Sequence, residues 1–185
     1  IGHNAATALT TGGNNVIIGR EAVQTGVLTG ADNVVIGKKA GDTMTSSANN
    51  VIIGKDAGAN ITTGADNVMI GYQAGDGFDG ENSNVGIGTD SLGGAIAGGE
   101  QNVAVGRLTL SNLTTGDDNT AVGHNAGNAL TTGALNTLIG RSAGELLTIA
   151  SNNVAIGQNA LDAAVMLFQM ILMLMLRFLD HRIKD

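Results

Sequence analysis

Apolar residues come in short bursts at a fixed long spacing, with no helical periodicity over most of the chain. In Asn50-Val51-Ile52-Ile53-Gly54, three apolar residues stand between an asparagine and a glycine, and this five-residue word returns down the chain. The closing glycines are Gly2, Gly19, Gly37, Gly54, Gly71, Gly88, Gly106, Gly123, Gly140 and Gly157, always 17 or 18 residues apart. Four residues before each glycine from Gly19 onward stands an asparagine: Asn15, Asn33, Asn50, Asn67, Asn84, Asn102, Asn119, Asn136 and Asn153. A register held over nine intervals marks a stacked repeat.

Within the word, Val51 and Ile53 share a parity and point to one face of a strand, as do Val16/Ile18, Val34/Ile36, Val68/Ile70, Val85/Ile87 and Val154/Ile156. The residue between them is usually apolar as well: Ile17, Val35, Ile52, Met69, Gly86, Ala104, Ala121, Leu138 and Ala155. A strand apolar on both faces is covered on both. One face lines the coil, and the other calls for a cover outside it, which a neighbouring chain would supply.

Three residues after each closing glycine comes a small residue, as at Ala22, Ala40, Ala57, Ala74, Ser91, Ala126 and Ala143, with Thr109 the bulkiest. A second apolar anchor follows about four residues later, at Leu9, Met44, Ile61, Phe78, Leu113, Leu130 and Leu147. Thr-Thr-Gly then turns the chain back, as at Thr62-Thr63-Gly64 and Thr114-Thr115-Gly116, where glycine is expected to supply a positive φ. The predicted fold class is all-β: a parallel β-roll or β-solenoid of about ten coils with a 17–18-residue repeat over residues 1–160, then a C-terminal α-helix and tail over 161–185. Coils ~4.8 Å apart would make a rod of roughly 45–50 Å, with the asparagines forming a ladder at one corner.

Composition agrees with this reading. The 185 residues include 29 glycines but no proline, cysteine or tryptophan, so there are no disulfides and few large rings for a conventional globular core. The regular placing of Ile and Val argues against disorder. A net charge of -7 makes nucleic acid an improbable partner. From Asp162 to Leu176 glycine vanishes and Leu, Met and Ala dominate, which predicts a helix; its apolar run is too short to span a bilayer, so membrane insertion is not expected. Leu161, Val165, Phe168, Leu172, Met175 and Leu179 step by four and three, so residues 162–180 are expected to meet their symmetry mates on an axis.

Catalytic chemistry is not written in this pattern. The three histidines, His3, His124 and His181, form no nucleophile–base–orienter set with neighbouring residues. Hexapeptide acyltransferases also stack coils, but from Ile36 six steps reach Asp42, so a six-residue period fails. Calcium-binding β-rolls need a Gly-Gly-x-Gly-x-Asp turn at half this period, whereas Asp32, Asp66, Asp117 and Asp118 look scattered. A glycosidase would need a selected carboxylate pair. We therefore expect no enzyme activity, no cofactor and no metal. One column does gather charge: the position after the closing glycine holds Arg20, Lys38, Lys55, Arg107 and Arg141, five of the six Lys and Arg in residues 1–160. It is a candidate stripe for anionic cell-surface glycan or lipopolysaccharide; the competing reading is a solvated stripe.

Asn153-Val154-Ala155-Ile156-Gly157, in the frame Thr-Thr-Gly-x-x-Asn-Val-x-Ile-Gly-x-x-Ala-Gly, resembles the repeats of tail fibres of tailed bacteriophages and the head repeats of trimeric autotransporter adhesins. The resemblance spans residues 1–160 and implies a left-handed β-roll whose copies trimerise side by side. It implies a structural, receptor-binding segment of a virion tail fibre that attaches to the host surface and contacts other virion proteins. The alternative is an adhesin head at a bacterial cell surface, and a repeat-built enzyme is third. Aspartate at Val35 and Ile52 is expected to disperse the homotrimer. The tail Asp180–Asp185 resembles the start of a self-cleaving chaperone domain, with Leu179 where that family has serine.

Overall fold

The computed structural model describes residues 1–94 and 97–162, so the helix expected over 162–180, beyond its first residue, and the chaperone-like tail lie outside the described residues. Nine three-residue strands form one parallel sheet in sequence order. They are β1 (Val16–Ile18), β2 (Val34–Ile36), β3 (Val51–Ile53), β4 (Val68–Ile70), β5 (Val85–Ile87), β6 (Val103–Val105), β7 (Thr120–Val122), β8 (Thr137–Ile139) and β9 (Val154–Ile156). Equivalent residues pair throughout, as in Val34 with Val51 and Ile36 with Ile53. The chain is a parallel β-solenoid. The extra residue of the 18-residue repeats falls between β1 and β2 and between β5 and β6, and pairing stays in register across both.

Nine rungs make eight full turns, against the ten coils expected. The tenth closing glycine, Gly2, belongs to a rung of which the chain carries only the end. Ile1 docks on β1 through its amine, 2.6 Å from the Ile17 carbonyl, and its own carbonyl accepts from Gly19 N–H at 2.8 Å.

The middle residue of each strand faces inward. Val35, Ile52, Met69, Ala104, Ala121 and Leu138 are fully buried, together with the small corner residues and with Met44, Ile61, Phe78, Leu113 and Leu130. This corrects the expectation that Val35 and Ile52 meet a neighbouring chain: they are the core, and the Val/Ile pairs around them face out.

In seven of the nine coils the core exchanges volume between two positions. Six residues after the strand's middle residue the chain enters the core again at a corner. A large middle residue is matched there by glycine, as in Val35/Gly41, Ile52/Gly58, Met69/Gly75 and Leu138/Gly144. A small one is matched by leucine, as in Gly86/Leu92, Ala104/Leu110 and Ala155/Leu161; Ile17/Val23 and Ala121/Gly127 depart from this exchange, and at Gly127 the side chains of Leu110 and Leu138 from the flanking coils take up the space. A Cβ on Gly58 would lie 2.9 Å from Ile61 Cδ1 and 3.2 Å from Ile52 Cδ1. The corner is left-handed in every case, so Leu92 and Leu110 sit at φ 50° and 49°, a strained region for a large residue that filling the core offsets.

The Thr-Thr-Gly turns differ from expectation. Their glycines do not have positive φ; left-handed residues are instead Asp66, Asp118 and their column mates, two positions ahead of each strand. Glycine is needed in the turn because coils approach closely. A Cβ on Gly64 would strike the Glu81 carbonyl, and one on Gly133 would strike that of Ala150. Threonine hydroxyls tie the turns together, Thr45 Oγ1 donating to the Thr62 carbonyl at 2.8 Å and Thr131 Oγ1 to that of Thr148 at 2.9 Å.

The asparagines form the expected ladder. Asn119 donates through N–H and Nδ2 to Asn102 Oδ1, both at 3.0 Å, and through Nδ2 to the Gly133 carbonyl at 2.9 Å. Its own Oδ1 accepts from Asn136 N–H and Nδ2, at 3.1 and 2.9 Å. The side chain is fully buried. Asn119→Leu would strand the Gly133 carbonyl and the Asn136 N–H, at about 1–3 kcal/mol for each group left without a partner. We expect thermal melting of this variant to fall by roughly 10 °C, with exposed Thr11→Ala within a degree or two of the parent.

Candidate functional site

Among the described residues, the coils bring together no buried constellation of reactive groups. His3 and His124 follow glycines seven repeats apart and cannot act together, while His181 lies outside the described residues. Among the described residues, no group of three or more His, Cys, Asp or Glu side chains is placed to hold a metal ion, and no helix is long and apolar enough to cross a membrane.

The most extended surface feature is the outward face of the sheet. Its two columns run Val16, Val34, Val51, Val68, Val85, Val103, Thr120, Thr137, Val154 and Ile18, Ile36, Ile53, Ile70, Ile87, Val105, Val122, Ile139, Ile156. Both are half-buried to exposed, with Val16 at 46%, Ile87 at 37% and Ile156 at 67% of full exposure. Not one charged residue interrupts them. Eight steps of ~4.8 Å make the face roughly 38 Å long.

The closing glycine ends each strand because its φ, 143° at Gly54, is closed to other residues. Immediately beyond it runs the basic column. Arg20 pairs with Glu21 at 3.7 Å, and Lys55 with Asp56 at 3.1 Å. Lys55 also lies 4.8 Å from the Tyr72 ring centre. The hydrogen bond and charge of Asp56 raise the Lys55 ammonium above the ordinary lysine pKa. Among the described residues, Lys38, Arg107 and Arg141 have no carboxylate within 4.0 Å. On the same side of the rod, Asp76 is pushed up, first by burial and then by the charge of Asp90.

Along the opposite edge, two positions ahead of each strand, run Asn14, Asp32, Asn49, Asp66, Ser83, Gln101, Asp118, Leu135 and Asn152, all exposed and all at φ 55–60°. Asn and Asp tolerate this conformation best, which accounts for much of the column. Glu100 and Asp117, one residue earlier in their coils, are exposed and thicken the acidic edge. Aspartates that look scattered in the sequence are thus collected into a line by stacking. The apolar face therefore has a basic edge and an acidic edge, and only the basic one is legible as a column in the sequence. The acidic one needed coil-by-coil alignment of the positions ahead of the strand, where Asp alternates with Asn, Ser and Gln.

A scan of protein families finds no match to this chain, and comparison with curated proteins and with solved structures finds none either. The stacked parallel coils define its class. It is an all-β repeat protein, a parallel β-solenoid of about eight turns with a repeat of about 17 residues.

Proposed function

We propose that the chain is a non-enzymatic structural and binding segment of a trimeric surface fibre, of the kind found in phage tail fibres, and that it takes part in host attachment. The observation that carries this reading is the uncharged, largely apolar face running over nine rungs, with Thr120 and Thr137 its only polar residues. Soluble chains rarely leave so long an apolar strip open to water. Three parallel rods packing these faces around a common axis would cover it and yield a stiff shaft. The repeat spelling supports the phage-fibre assignment, and the attachment role follows from it. Sedimentation of the full chain tests the assembly: we expect the mass of three chains at micromolar concentration, and a stable monomer would overturn the proposal.

A further inference from the structure

We infer that the two charged edges of the apolar face form a self-complementary device that sets a second copy of this chain parallel and in register; the inference rests on the self-association proposed above. Symmetry provides the reason. Rotation about an axis along the rod brings the basic edge of one copy beside the acidic edge of the next, rung against the same rung. Rotation about an axis across the rod turns the copies antiparallel and sets basic edge against basic edge.

Four of the nine rungs set complementary groups against each other in this arrangement. On the rung of β2, Lys38 of one copy would face Asp32 of the next; on that of β6, Arg107 would face Glu100; on that of β7, His124 would face Asp118. On the β4 rung the Tyr72 hydroxyl would face the Asp66 carboxylate. Arg141, on the β8 rung, has Asp118 one rung away. The rungs of β5 and β9 are neutral on both sides, Thr89 with Ser83 and Gln158 with Asn152. Lys38 and Arg107, which among the described residues have no ion pair in their own chain, thus meet a carboxylate on the same rung of a parallel neighbour. Antiparallel packing centred on β5 would instead oppose Lys38 to Arg141.

Exposed pairs contribute little individually, about 0–1 kcal/mol. Their use is discrimination, since they favour one orientation while like charges penalise the other. From Asp32 to Lys38 the face is roughly 20 Å wide, which with its length gives on the order of 750 Å², close to the ~800 Å² per partner of a stable interface.

The chain has no cysteine, so single introduced thiols report on one position each. D32C and K38C chains, mixed and refolded together, should be joined by a short bis-maleimide into a covalent heterodimer on a denaturing gel. Joining of K38C to R141C chains instead, or of neither pair in an assembly that still sediments as an oligomer, would overturn the inference. Monomeric sedimentation of the unmodified chain would overturn the underlying proposal. As a second measurement, K38E should raise the concentration for half-dissociation about tenfold at low salt and less at high salt, because exposed charges are screened. Unchanged association of a folded K38E chain would also overturn it.

Discussion

Ile52→Asp is expected to abolish the folded rod, whereas Ile53→Asp, one residue further along the same strand, is expected to leave it folded and single. Ile52 is fully buried, beside Gly58 and between Val35 and Met69 of the flanking coils. Aspartate there would forfeit about 2–3 kcal/mol of apolar burial and set a carboxylate where the core offers it no partner, a further several kcal/mol. That exceeds much of the 5–15 kcal/mol margin of an ordinary domain. Ile53 belongs to the outward column and is only half-buried in the isolated chain. Its carboxylate would stay hydrated in a monomer but would meet its own copies at a symmetric interface. Circular dichroism and sedimentation together give the readout. We expect loss of β signal for Ile52→Asp, and retained β signal with monomer mass for Ile53→Asp. A folded Ile52→Asp chain would show that the inward assignment is wrong, and a fully assembled Ile53→Asp chain would remove the outward face from the interface.

Gly54→Ala should be strongly damaging for a one-carbon change, as should the same change at its column mates Gly19 and Gly37. An added Cβ would strike the Gly71 carbonyl of the next coil, coming within 2.6 Å of its carbon, and φ is 143°. Neither neighbour can retreat, because both are backbone held in the parallel ladder. Strain in such a φ region costs on the order of 1–3 kcal/mol, and overpacking against fixed atoms about 1–3 more. We expect melting to fall by at least roughly 10 °C. Gly13→Ala is the matched control, since a Cβ there meets nothing within 4 Å. Its melting should change by no more than about 2 °C.

The period, strand position, parallel stacking and asparagine ladder are all legible in the sequence, because a repeat states the same local solution nine times and any departure stands out. Stacking of like on like follows from equal repeat length alone, without knowledge of a distant partner. Three things depended on tertiary structure. Which strand face is the core was ambiguous, since Ile52 is as apolar as Val51 and Ile53; only closure of the coil put Ile52 opposite Gly58. The need for glycine at Gly64 and Gly133 lies in the approach of the next coil, which local turn chemistry does not contain. The acidic edge existed only once eight turns had aligned Asp32, Asp66 and Asp118 in one column, because charges tens of residues apart in the chain become neighbours only through stacking.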